Sequence, residues 1–357
     1  MDDIKVQVSS NLKKKPARDT PLGFGKLFTD YMFLMEYSKE KGWHNARIEP
    51  YGPLSLDPAT NSLHYGQLMF EGMKAYRTPD GRAVMFRPDK NMIRINNSGH
   101  RICIPPIDEA FTLKAIAKLV DLEKDWIPEA PGTSLYIRPF ILSTDPVLGV
   151  APSNTYLFCV ILSPVGSYYP GGLKPTRIHV ETEYVRAVRG GTGYSKCAGN
   201  YASSLLAQKG AAEHGFDQVL WLDGVERKYV EEVGAMNVFF VLDGKAVTAD
   251  LGGGTILPGI TRMSVLELLK SWGFPTEERK LSIQELADAY DAGKFSEAFG
   301  TGTAAVIAPI GELGWAGKSM KLSGGNIGPI AQRLYDEITG IQTGRLPDKF
   351  GWVYEVK

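Results

Sequence analysis

The chain has 357 residues, enough for about two domains of ordinary size and too many for one small core. Hydrophobic residues make up 43% and charged residues 22%, close to the globular mean, which excludes extensive disorder. Forty basic residues balance forty acidic ones, so there is no electrostatic footprint for nucleic acid or an anionic membrane, and little repulsion against self-association.

The chain opens on the acidic pair Asp2-Asp3, with neither an apolar signal core nor an Arg/Ser-rich transit stretch, so a cytoplasmic protein is expected. The longest apolar stretch, near Asn154 to Leu162, is far short of the roughly 20 residues that a spanning helix needs. Cys103, Cys159 and Cys197 are odd in number and lack metal-like spacing; reduced thiols are expected, with no disulfide framework and no metal.

Three Asp-Gly pairs punctuate β-rich runs and predict hairpins, because tight hairpin turns need positive φ at their central residues. They are Asp80-Gly81 between Tyr76–Arg77 and Ala83–Phe86, Asp223-Gly224 between Val219–Leu222 and Lys228–Val230, and Asp243-Gly244 between Val238–Leu242 and Ala246–Thr248. The sheets are therefore mixed or antiparallel, not a simple βαβ series. Helical spacing joins Ile116, Leu119 and Val120 to a polar face that includes Glu123, and recurs at Ile327, Ile330, Leu334 and Ile338. Ser282 with Glu285 reads as a capping box.

The stretch 163–176 is dense in Pro and Gly and carries Tyr168 and Tyr169, the composition of a linker bordering a site. It divides a smaller α/β domain, 1–162, from a larger one, 177–357. After it, Lys196 sits among Gly, Ser and Ala, which leave room for a flat ligand. A lone lysine is ordinarily a solvated charge, but an amine used as a Schiff-base nucleophile needs burial or a nearby cation, and Tyr201 stands close by to reach the same ligand. In Tyr229–Asn237, strand alternation lets at most one of Glu231 and Glu232 enter a cleft; by default both are exposed.

Leu251–Arg262 is a glycine-rich loop feeding an apolar helical run, able to offer amides to a phosphate or to serve as a plain connection. Phe299–Ala304 is a second Gly/Thr turn of similar capacity. Arg87, after Phe86, suits either a phosphate clamp or a structural ion pair.

Together these segments carry a resemblance. FEGMKAY, FRPDKN, SLYIRP, KCAGNY, VEEVG-MN (Ala235 aside), LPGITR and FGTGTA stand in the order found in the class IV, fold-type-IV pyridoxal-phosphate enzymes. They resemble the branched-chain aminotransferases in particular, from about Gly23-Phe24-Gly25-Lys26 almost to the C-terminus.

The resemblance implies two α/β domains of mixed sheet, D-amino-acid aminotransferase-like, binding pyridoxal 5′-phosphate. It implies a ping-pong transfer from L-leucine, L-isoleucine or L-valine to 2-oxoglutarate, giving glutamate. Lys196 matches the Schiff-base lysine, Glu232 the partner of the pyridine nitrogen and Tyr201 the partner of the phenolic oxygen, while Arg87, Ile260, Thr261 and Thr303 match the phosphate cup. The substrate carboxylate maps to the Thr303-Ala304 turn and Tyr65. The side-chain pocket maps to Phe24, Phe70, Tyr136 and Tyr168, with Val150 reaching over from the other subunit of a homodimer, and Arg138 serves the second carboxylate of 2-oxoglutarate.

Two departures stand out. Ala305 and Ala308 replace the Cys-x-x-Cys of some relatives, and Ala235 replaces a threonine. The alternatives are a D-amino-acid aminotransferase, an aminodeoxychorismate lyase, or a non-catalytic protein that binds pyridoxal phosphate or phosphate.

Overall fold

The computed structural model describes residues 3–18, 20–168 and 172–357. In chain order the elements are β1 (Lys5–Val6), β2 (Tyr31–Ser38), β3 (Gly42–Pro50), α1 (Asn61–Tyr65), β4 (Leu68–Phe70), β5 (Met73–Arg77), β6 (Ala83–Phe86), α2 (Pro88–Arg101), α3 (Glu109–Leu122), β7 (Ser134–Ser143) and β8 (Thr155–Val165). They continue with β9 (Thr176–Val180), α4 (Ala198–Ala202), α5 (Leu205–Glu213), β10 (Gln218–Leu222), β11 (Val230–Val233), β12 (Met236–Leu242), β13 (Lys245–Thr248), α6 (Ile260–Ser271) and β14 (Thr276–Glu278). The last are α7 (Ile283–Asp291), β15 (Phe295–Gly302), β16 (Val306–Trp315), β17 (Lys318–Lys321), α8 (Pro329–Gln342) and β18 (Val353–Glu355).

The chain forms two compact units. Unit 1 comprises 1–168, 195–198 and 340–357, and unit 2 comprises 169–194 and 199–339. The break after Tyr168 falls inside the expected linker, although β8 runs on to Val165; Tyr169 lies outside the described residues. The plain two-segment division of the sequence differs from this. The lysine segment 195–198 and the final stretch from Gly340 pack with unit 1, the latter because β18 adds to β6 through Val353↔Phe86 and Glu355↔Val84. Pairing between such distant residues leaves no local trace in the sequence.

Unit 1 holds a mixed sheet in the order β1-β3-β2-β8-β7-β5-β6-β18, with β4 also on β7. The helices α2 and α3 cover one face, packing Met92, Ile95, Ile116 and Leu119 against Phe33, Met73 and Phe158. Glu123 departs from its expected place on the polar face. It is buried, accepts the Tyr31 amide at 2.5 Å, and burial pushes its carboxyl up to about 7.

Unit 2 holds a second mixed sheet, β11-β10-β9-β16-β15-β12-β13-β14, backed on one face by Ile283, Leu286 and Ala287 of α7. The Asp243-Gly244 turn has φ of 47° and 77° and joins β12 to β13 as a two-residue hairpin. Asp223-Gly224 lies between strands that pair antiparallel as expected, β10 with β11, but it does not make a tight turn. The Asp223 carboxylate accepts the amides of Val225, Glu226, Lys228 and Tyr229, so the loop stays long; against the pull of burial these bonds hold its carboxyl down to about 2. Ser282 caps α7 by accepting the Glu285 amide, while the Glu285 carboxylate turns to Arg279. In α8, Leu334 and Ile338 are buried, whereas Ile327 precedes the helix. Among the described residues no helix is long and apolar enough to cross a membrane.

Candidate active site

In unit 1 the chain passes from β4 to β5 through Glu71-Gly72, alongside Pro139 of β7. Proline has no N–H to give the ladder, so pairing thins here, though the Glu71 amide still donates to the Pro139 carbonyl at 2.7 Å. The neighbouring Phe70 amide donates to the Lys196 carbonyl at 3.0 Å, and the Lys196 amide donates to Ser98 Oγ of α2 at 2.9 Å. Lys196 is thereby pinned at its backbone between β4 and α2. Its side chain is half-buried, with Nζ 4.8 Å from the centre of the Phe70 ring.

Arg138 shares that ring, at 4.7 Å, and donates to Tyr136 Oη at 3.1 Å; Phe24 meets Tyr136 edge-on at 4.9 Å. Phe24, Phe70, Tyr136, Arg138 and Lys196 thus come together within unit 1. Gly72 makes room for this arrangement, because a Cβ there would run into the Tyr136 hydroxyl. Tyr65 is exposed, and its hydroxyl donates to the Leu148 carbonyl. Val150 is 83% exposed in a turn whose Val147 and Leu148 are exposed as well, and Tyr168 is exposed where unit 1 ends. The apolar turn is therefore no buried loop.

Arg87 is buried at the head of α2 with φ 48° and ψ 43°, a left-handed conformation that is uncommon outside glycine and is disfavoured before Pro88. Its amide donates to the Trp352 carbonyl at 2.7 Å, and its guanidinium lies 5.0 Å from the Trp352 ring. Such a backbone persists only where its surroundings over-determine it.

In unit 2 both glutamates of β11 are buried, against the default of two exposed carboxylates. One loop collects both: Thr255 Oγ1 donates to Glu231 Oε1 at 2.5 Å, and the Leu257 amide donates to Glu232 Oε1 at 2.8 Å. Arg186 approaches Glu232 at 3.4 Å, with both side chains nearly buried. Burial raises the Glu231 carboxyl above its usual range, against the Thr255 bond and Arg186.

That loop leads into α6 through Gly259, which is extended and caps the helix with no side chain, so the first-turn amides of Ile260 and Thr261 are left to other acceptors. Asn237 Nδ2 holds the approach by donating to the Leu257 carbonyl at 2.9 Å, and a Cβ on Gly259 would run into Asn237 Oδ1. The Gly/Thr turn is shorter than its sequence suggested, since Phe299–Gly302 belongs to β15 and only 303–305 turn. Thr303 and Ala304 are half-buried there, and Val306, a β-branched residue, takes φ 63°. Tyr201 is half-buried on α4. Ala305 and Ala308 are buried, and Ala235 is exposed between β11 and β12.

Each unit, taken by itself, holds groups whose chemistry fits a phosphorylated pyridine cofactor. Unit 2 offers a buried carboxylate for a ring nitrogen, with an uncapped helix start on the same tethered loop. Unit 1 offers a guanidinium and a half-buried amine. Sequence reasoning missed Arg186, Glu71, Asn237 and Trp352. Glu71 and Asn237 lay within noted motifs without being singled out, and no spacing rule points to Arg186 or Trp352.

The family model of class IV amino-transferases matches residues 68–313. The chain is 57% identical, over 99% of its length and 97% of the relative's, to branched-chain-amino-acid aminotransferase 2 of Bacillus subtilis (strain 168). Among solved structures it resembles the Escherichia coli branched-chain amino acid aminotransferase, with TM-score 0.77 and 27% identity over 92% of this chain and 99% of that one. It also resembles the T.th. branched-chain amino acid aminotransferase complexed with N-(5′-phosphopyridoxyl)-L-glutamate, with TM-score 0.75 and 29% identity over 90% and 98%.

Proposed function

The chain belongs to the class IV aminotransferases, and from that premise we propose that it moves the amino group of L-leucine, L-isoleucine or L-valine to 2-oxoglutarate on pyridoxal 5′-phosphate. Its two mixed-sheet units have the fold-type-IV architecture. The observation that carries the reading is Lys196, pinned by Phe70 and Ser98 in an aromatic surround, in a chain alike over its whole length to a named branched-chain enzyme. That likeness favours the branched-chain reading over a D-amino-acid aminotransferase, a lyase or a mere binder.

When bound, the cofactor supplies an electron sink for negative charge at the substrate's α-carbon. Lys196 holds it and carries the proton to and from that carbon. Glu232, kept in place by Arg186 and the Leu257 amide, keeps the ring nitrogen protonated. Tyr201 hydrogen-bonds the phenolic oxygen. Arg87, Ile260, Thr261 and Thr303 take the phosphate: a guanidinium, a helix start and hydroxyls together suit a dianion.

Tyr65 and the Thr303-Ala304 turn receive the substrate carboxylate. Phe24, Phe70, Tyr136 and Tyr168 bury an apolar side chain, and Arg138 takes the second carboxylate of 2-oxoglutarate. Val150, exposed on its turn, reaches the other site of a homodimer working in the cytoplasm. Borohydride treatment of the yellow holoenzyme followed by peptide mapping tests the core of this reading. Label on Lys196, and its loss in Lys196→Ala, is expected; label on another lysine overturns the assignment.

A further inference from the structure

The alternate positions Met69, Glu71, Met73 and Ala75 are all buried, and three of the four belong to the apolar core beneath α2. The fourth is a carboxylate with no solvent exposure. A charge in such a place costs several kcal/mol unless it is well paired. Glu71 is well paired: Arg94 of α2 donates to both its oxygens, at 2.6 and 2.9 Å, Asn91 Nδ2 donates at 2.7 Å and the Gly72 amide at 3.0 Å.

Well-packed apolar residues in place of such a buried pair often hold a fold as firmly, so stability alone does not account for the charge. What an apolar pair would lack is charge beside the lysine segment. Glu71 adjoins Phe70, whose amide holds Lys196 and whose ring lies under its Nζ; α2, which carries Arg94 and Asn91, also supplies Ser98 to the Lys196 amide. Burial works to raise the Glu71 carboxyl, yet Arg94, the electrostatic pull of Lys196 and Asn91 together hold it below the usual range. Among the described residues, further cations nearby in unit 1 include Arg138 of β7, on the same Phe70 ring, and Lys74 of β5, buried along the strand, its ammonium pulled down by burial to about 8.

We propose that Glu71 is a positioning residue for Lys196: its buried carboxylate, anchored by α2, supplies the negative charge that favours a protonated nitrogen on that lysine among neighbouring arginines. It does not touch substrate; it sets the state in which Lys196 waits. The inference rests on Lys196 being the lysine that carries the cofactor.

The readout is the pH midpoint of the holoenzyme's visible absorbance change, taken with the melting temperature. In Glu71→Gln the midpoint should fall by about one unit or more, the size of effect expected from losing an opposite charge nearby. In Glu71→Asp, which keeps the charge, the midpoint should stay near wild type even though melting falls. Arg94→Gln removes the main cation that holds the buried carboxyl ionised, so Glu71 takes a proton more readily and the midpoint should fall as it does in Glu71→Gln; it decides the matter if Glu71→Gln does not fold. An unmoved midpoint in a folded Glu71→Gln, or in Arg94→Gln, overturns the proposal, as does a shift in Glu71→Asp equal to that in Glu71→Gln. Borohydride labelling separates the two ideas: label away from Lys196 defeats the cofactor assignment, whereas label on Lys196 with an unmoved midpoint defeats only the role of Glu71.

Discussion

Replacing Glu232 by glutamine deletes one charge and little else. Glutamine Oε1 can still accept the Leu257 amide, so the loop tether survives. The loss falls on Arg186, 3.4 Å away, with side chains only 7% and 4% exposed. At that distance the gross attraction is about 5 kcal/mol for an effective dielectric near 20. Stranding one member of a buried pair ordinarily costs about 3–5 kcal/mol. Arg186 also donates to the Gly193 and Thr255 carbonyls, so the lower end, about 3 kcal/mol of stability, is expected.

The catalytic loss from Glu232→Gln should be ~10²-fold in kcat/KM, about 2.7 kcal/mol of transition-state stabilisation. Glu231→Gln is the control. It keeps an acceptor for Thr255 and resembles the protonated carboxyl that burial favours there, so activity should change only a few-fold, within about 1 kcal/mol. Transamination of L-leucine with 2-oxoglutarate, alongside urea unfolding of both variants, provides the numbers. Equal catalytic losses in the two variants would refute the reasoning, because the buried pair with Arg186 would then have no special part.

Two further predictions concern stability and assembly. The Glu123 carboxyl is raised by burial from 4.5 to about 7, so the fold favours its protonated form: its contribution is fully present below about 4.5 and is lost as pH rises through about 7. The loss amounts to about 3 kcal/mol, and Glu123→Gln should gain on wild type by that much between pH 4 and pH 8; a urea-midpoint gap that does not change with pH contradicts this. For the homodimer, inactive Lys196→Ala is mixed with an inactive Val150→Glu protein under subunit exchange. If Val150 serves its partner, one site of each mixed dimer escapes both defects and up to about half of a dimer's activity returns; a mixed but inactive dimer rules that arrangement out.

The sequence was most legible where structure is local. Asp243-Gly244 specified its hairpin because two positive φ angles in succession admit few residues; the glycine-rich loop was seen to feed a helix, although α6 begins at Ile260, inside the stretch read as loop. Asp223-Gly224 marked a true antiparallel pair, β10 with β11, but not a tight turn, because an aspartate that gathers four amides builds a longer loop from the same dipeptide. Glu123 misled because helical spacing cannot tell a solvated carboxylate from one aimed at a strand amide. The motifs drew out Lys196 and Glu232, the proposed site residues, but not the groups that hold them: Arg186 lies 3.4 Å from Glu232, and the Lys196 amide donates to Ser98 of α2. Neither pair is linked by any spacing that the chain repeats.

The buttress behind Arg87 bears on the order in which the protein is made. The Trp352 carbonyl and ring that hold this arginine in its left-handed conformation belong to a segment translated long after it, and β18 zips onto β6 later still. A ribosome-bound chain can already have the rest of the unit 1 sheet paired while Arg87 still lacks that support. If Arg87 takes a phosphate as proposed, a fragment ending before Trp352 would carry the arginine without its buttress.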